Sequence, residues 1–140
     1  MAEENPLPRY AELVVRVGAN VQEGQDVLIT GHVEHAPFMR ALAAASYGAG
    51  ARYVTAQYGD QYVKRELILH GADDVLDWSP PWEFERLEYL SRVGGAEINV
   101  TGDPNPDVFS DLDGVRVGKT RPKALSERAL QIVFEEKTIN

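Results

Sequence analysis

The chain has 140 residues, 44% of them hydrophobic and 26% charged, which is the size and balance of one globular domain and short for a two-domain enzyme. Its 14 basic and 22 acidic residues leave a net charge of -8, which repels phosphate backbones and anionic lipid and sets nucleic acid and membranes aside as partners. There is no cysteine, so disulfides and thiolate metal sites are excluded. No basic-then-apolar leader and no run of about 18 apolar residues occurs, and the expectation is a soluble, cytoplasmic protein.

Tyr10, Leu13, Val14 and Val17 recur at helical spacing behind Pro8, and Gly18 offers a stop, so a helix is predicted over about 8 to 19. Glu23-Gly24-Gln25-Asp26 is a turn. The run Val27-Leu28-Ile29, ending at Gly31, reads as a buried strand that feeds a loop. Phe38, Met39, Leu42, Ala43 and Tyr47 form the next helical stripe, from His35 to Tyr47, closed by Gly48-Ala49-Gly50. Strand Ala51 to Tyr58 follows, and the intervening length suits a right-handed parallel crossover, giving a βαβ unit.

Asp60 is placed to cap a helix over Tyr62 to His70, whose Val63 and Leu67 keep a helical repeat and which Gly71-Ala72-Asp73-Asp74 then breaks. Pro80-Pro81 can start a helix that turns Phe84, Leu87 and Leu90 inward and stops at Gly94-Gly95. Ala96 to Thr101 is the third strand, Gly102 to Asp107 a loop at its carboxyl end, and Ala124 to about Glu136 a last helix through Leu125, Leu130 and Val133. The alternation predicts one α/β domain over 1–140, a parallel sheet flanked by helices on both faces, Rossmann-like but without a dinucleotide fingerprint.

In such sheets ligands bind beyond the carboxyl ends of the strands, so the loops after Ile29, Tyr58 and Val100 carry the candidate cleft residues: His32, Glu34, His35, Asp60, Asp103 and Asn105. His32 and His35 are three apart, whereas a zincin places two histidines four apart on one helix, and Glu34 reads better as a first-turn residue favoured by the helix dipole. The oxygen side chains from Asp103 to Asp113 alternate as in an EF-hand loop. The sixth and twelfth places of such a loop hold Val108 and Gly114, so an acidic, proline-containing surface loop is favoured over a calcium site. Asp60 could serve a dinucleotide ribose, yet G-x-G-x-x-G is missing from the first strand-helix loop, and a helix cap is the better reading. Trp78 and Trp82 around Pro80-Pro81 read as packing or a domain interface. No residue is assigned as catalytic or as a metal ligand.

Several segments occur in an order that resembles a known family: Tyr10-Ala-Glu-Leu-Val-Val-Arg-Val-Gly-Ala-Asn-Val-Gln-Glu-Gly-Gln-Asp-Val-Leu-Ile, His35-Ala-Pro-Phe-Met-Arg-Ala-Leu, Tyr47-Gly-Ala-Gly-Ala-Arg-Tyr-Val, Asp77-Trp-Ser-Pro-Pro-Trp, Val100-Thr-Gly-Asp-Pro-Asn-Pro-Asp and Arg121-Pro-Lys-Ala-Leu-Ser-Glu-Arg. Together they resemble the amino-terminal domain of the M29 metallo-aminopeptidases, the aminopeptidase T-like or leucyl aminopeptidase-like family, over roughly residues 8 to 130. The resemblance implies a cobalt-, zinc- or magnesium-dependent hydrolase, generally dimeric, that removes amino-terminal residues from peptides with two metal ions. It also implies that the metal ligands lie in a carboxyl-terminal domain, so none is carried onto this chain and no cofactor is expected in it. Beyond Arg128 the sequence departs from the family's outline.

The resulting expectation is the amino-terminal domain of an aminopeptidase, inactive by itself, that forms one side of a peptide cleft or supports a homodimer. The alternative is a non-enzymatic module that binds a small ligand or a protein. A third reading, an independent metal hydrolase using His32, Glu34, His35 and Asp103, ranks below both.

Overall fold

The computed structural model describes residues 4–140; the first three residues of the expected 1–140 domain lie outside the described residues. Helix α1 (Leu7–Leu13) widens into a π-helical turn over Val14–Gly18, and Asn20 then reverses the chain with φ of 50°. Strand β1 (Asp26–His32) leads through a short turn (Val33–His35) into α2 (Ala36–Gly48), and β2 (Tyr53–Gly59) follows. Asp60 caps α3 (Gln61–His70), accepting from the Tyr62 amide at 2.8 Å. After α4 (Pro81–Arg92) and β3 (Ala96–Asn99) come the five-residue α5 (Gly114–Gly118) and α6 (Lys123–Leu130), which ends in a second π-helical segment over Gln131–Glu136.

All strands are parallel, in the order β2-β1-β3, with Asp26 to His32 matched to Tyr53 to Gly59 and Val27 to Thr30 matched to Ala96 to Asn99. The chain's last residue joins the far side of β3: Asn140 N–H donates to Gly95 O at 3.1 Å and its carbonyl accepts from Glu97 N–H at 2.9 Å. The α/β architecture expected from the sequence is therefore present, with one core on each face of the sheet.

Successive strand residues point to opposite faces. Val27, Ile29, Ala96 and Ile98 face α1 and α2 and pack with Ala11, Val15, Met39 and Leu42. Leu28 faces the other way, onto Leu87, Leu90, Ile132 and Ile139. The second cover is thinner, and edge strand β2 is mostly exposed along its length.

Three sequence expectations shift. Of the apolar residues that set the first helical periodicity, Tyr10, Leu13 and Val17 lie outside, with Val17 72% exposed, and Val14 is half-buried against the core, while Ala11 and Val15, four apart, are fully buried. The π-helical turn displaces the later residues around the axis, and Tyr10 instead stacks on Phe38 with ring centroids 5.3 Å apart. In α3 the buried side chains are Gln61 and Ile68, whereas Val63 is exposed. Helix α5 was not expected, since glycine at both ends of five residues leaves no periodic stripe; its start is fixed by Asp113, which accepts from the Val115 amide at 2.9 Å.

Candidate functional site

The carboxyl ends of the strands gather five of the six residues singled out from the sequence. Gly31 makes this possible: a methyl group there would lie 2.7 Å from Met39 Sδ, 3.2 Å from Val100 Cβ and 3.3 Å from His35 Nδ1. Without a Cβ, the start of α2 and the end of β3 close onto β1. His35 Nδ1 then accepts from the His32 backbone N–H at 3.1 Å, which places the proton of the neutral ring on Nε2. The two imidazoles sit with centroids 5.5 Å apart, and His32 Nδ1 is buried without a hydrogen-bond partner.

Beside the histidines runs a chain of amides and carboxylates. Asn105 Nδ2 donates to Glu34 Oε1 at 3.0 Å and to Gln61 Oε1 at 3.1 Å. Gln61 Nε2 donates to Asp103 Oδ1 at 2.5 Å, and the same oxygen accepts from the Asn105 backbone N–H at 3.0 Å. The network ties together the loop after β1, the first turn of α3 and the loop after β3. Asp60 stays out of it, because its carboxylate is engaged in capping α3.

Gln61, only 5% exposed, is the member that sequence reasoning missed. Its one signal was an amide directly after a helix cap in a strand-end loop. Arg65 was missed as well: it grips the loop after β3 by donating to Val108 O at 2.6 Å and to both carboxylate oxygens of Asp111 at 2.6 Å. That guanidinium holds the Asp111 carboxyl down to about 2, with smaller help from a backbone hydrogen bond.

The alternating oxygens of this segment therefore diverge. Asp103 turns to Gln61, Asn105 to Glu34, Asp111 to Arg65 and Asp113 to a helix start, so they do not converge on a cation. Among the described residues no three His, Asp or Glu side chains are placed to share one metal ion. The His35 Nδ1 lone pair is taken by the His32 amide, and without three grouped ligands these residues do not fit a two-metal centre. Nor do the six residues pair a nucleophile with a base. The arrangement can hold three loops in register and present polar groups along their rim.

At the opposite ends of the strands, Asp26 is held by Arg52 in a two-pronged pair at 2.6 and 2.7 Å and accepts from Tyr89 Oη at 2.6 Å. The hydrogen bonds from Arg52 first, and from Tyr89 next, lower its pKa. A recess of about 670 Å³ lined by Asp73, Lys119, Arg121 and Lys123 also lies apart from the strand-end cluster. No helix among the described residues is long and apolar enough to cross a membrane.

Residues 3–138 match the family model described as thermophilic metalloprotease (M29). Aminopeptidase T of Thermus thermophilus is 35% identical over 115 residues, covering 82% of this chain and 28% of that protein. Aminopeptidase 2 of Geobacillus stearothermophilus is 32% identical over 126 residues, covering 88% and 30%. The solved structure of wild-type AmpT from Thermus thermophilus superposes with a TM-score of 0.80 at 33% identity, over 91% of this chain and 32% of that one. This chain thus spans about three tenths of the length of the relatives it matches. With both sequence and fold in agreement over nearly its whole length, the chain belongs to the M29 metalloprotease family.

Proposed function

We propose that the chain is the amino-terminal domain of a metal-dependent aminopeptidase that removes amino-terminal residues from peptides, and that it shapes one side of the substrate cleft or supports a homodimer. The observation that carries this reading is the combination of near-complete coverage of this chain with coverage of about three tenths of Aminopeptidase T. A domain of this size fits as one part of a larger enzyme. The strand-end network favours a positioning role, since it fixes three loops without offering a free ligand set. A divalent cobalt, zinc or magnesium ion would supply the Lewis acid and activated water of such an enzyme. None of the residues described above is assigned a metal or a proton-transfer step.

The test is to assay the purified chain with cobalt, zinc or magnesium and a leucyl anilide, beside the native product captured from its source cells. The expected result is no leucine release and no stoichiometric metal for the chain alone, with activity in a product about three times its length. Metal binding and turnover by the chain alone would overturn the proposal. A native product of the same size as this chain, binding a ligand without turnover, would replace it with the non-enzymatic module.

A further inference from the structure

The face of the sheet turned toward α4 and α6 is unusually polar. Where a doubly covered parallel sheet carries aliphatic side chains on both sides, this face presents Thr30, Gln57 and Glu97 next to Leu28. They open onto a recess of about 230 Å³ whose apolar lining includes Leu87, Leu125 and Ala129. Polar groups withdrawn from bulk water cost free energy unless they are partnered.

Most of these groups have partners. Glu83 and Arg86 of α4 form an ion pair at 3.1 Å, and Gln57 joins them, donating to Glu83 at 3.1 Å and accepting from Arg86. Thr30 Oγ1 donates to Asn99 Oδ1 at 2.5 Å. Glu97 is the exception. Among the described residues no Lys, Arg or His side chain forms an ion pair with it. The ionisable groups of the recess, Glu83, Arg86 and Glu97, therefore carry one uncompensated negative charge. Burial pushes the Glu97 carboxyl up, against the smaller effect of Asn99.

We propose that this recess binds a primary alkylammonium group, with the ammonium on the Glu97 carboxylate and the alkyl portion on Leu87, Leu125 and Ala129. A cation of this shape satisfies both halves of the lining. The carboxylate gains a charge-assisted hydrogen bond, and the apolar wall gains a covering that water does not give. The volume suits a small amine or the end of a lysine side chain and is below that of drug-sized sites. The proposal does not depend on the peptidase reading.

The experiment is an amide NMR titration of the full chain with isoamylamine, with isoamyl alcohol as the uncharged control and Nα-acetyl-lysine methylamide as the polypeptide-borne source. Saturable shifts at Glu97, Asn99 and Ser126 are expected with the amine and not with the alcohol. Binding should weaken by about tenfold or more in Glu97→Gln, which keeps the shape and loses the charge. Ala129→Phe, which fills the recess, should weaken it likewise. Tighter binding of the lysine derivative than of isoamylamine assigns the ammonium to a polypeptide, and the reverse order assigns it to a free amine. Equal shifts with the alcohol, no saturable shifts, or unchanged affinity in a folded Glu97→Gln variant would each overturn the proposal. The alcohol control uses the unaltered chain, so the proposal stays exposed to failure even if both variants misfold.

Discussion

The side-chain amide of Asn105 reaches Glu34 Oε1 at 3.0 Å although 71 positions separate the two residues, and the same nitrogen reaches Gln61 Oε1 at 3.1 Å. A single group thus links three loops that β1, β2 and β3 deliver to one end of the sheet. Removing it in Asn105→Ala should cost about 1 to 2 kcal/mol, the usual range for side-chain hydrogen bonds of which one acceptor is charged. Amides of the turn after β1 and of the loop after β3 should then exchange faster by hydrogen-deuterium measurements. A change below a few tenths of a kcal/mol with unaltered exchange would mean that the loops hold their places without the network.

A buried strand residue and an exposed helical one give a sharper contrast. Ile29 of β1 is fully buried beneath α1 and α2, whereas Val17, in the π-helical turn that follows α1, is 72% exposed. Urea unfolding of Ile29→Ala should show a loss of about 2 to 5 kcal/mol, as for other large-to-small core changes. Val17→Ala should stay within about 0.5 kcal/mol. Comparable losses at both positions would place Val17 in a core and contradict the π-helical displacement of the helix face.

That displacement marks where the sequence could be read and where it could not. The strands were visible because Val27-Leu28-Ile29 and Ala96 to Thr101 are apolar or alternating runs between glycines, and Asp60 was visible as a cap because its position before an apolar stripe has a local cause. His32, Glu34, His35, Asp103 and Asn105 followed from the rule that strand-end loops converge, which needs no motif. Their partners did not follow. Gln61 and Arg65 are bound through contacts 42 to 46 positions away, and nothing local in an amide or a guanidinium announces a distant acceptor. The polar face of the sheet was equally hidden, since a threonine or a glutamate in a strand reads as solvent-facing until the covering helices are in place.

Acid should weaken the molecule through its lowered carboxyls. The pKa of Asp111 falls to about 2 through Arg65, and that of Asp26 is lowered through Arg52 and Tyr89. A carboxyl that ionises more readily in the folded state contributes stability that is complete above its unfolded pKa and is lost as pH falls through the folded one. For Asp111 that loss lies between roughly pH 4 and pH 2. The Asp111→Asn variant should therefore lose some stability at neutral pH and show a shallower decline in melting temperature across that interval. A decline as steep as that of the unaltered chain would remove Asp111 as a source of acid sensitivity. Because its side chain is well exposed, the effect should also shrink in high salt.

Glu97 should act in the opposite direction. Burial raises its pKa, so the folded state holds the proton more tightly than the unfolded chain does. Its contribution is most favourable below the unfolded pKa and is lost as pH rises through the folded value, where ionisation strands a carboxylate beside Leu28, Leu87 and Leu125. Replacing it by glutamine puts an uncharged amide of the same shape in its place and removes the charge. Glu97→Gln should therefore melt at a higher temperature than the unaltered chain at neutral pH, and the two should converge below about pH 4, where the glutamate is protonated in both states. Melting curves at pH 4 and pH 7 on the two proteins decide the matter. A variant that is less stable at neutral pH would show that the carboxylate is already compensated in the free chain, and the uncompensated charge that makes the recess a cation site would be gone with it.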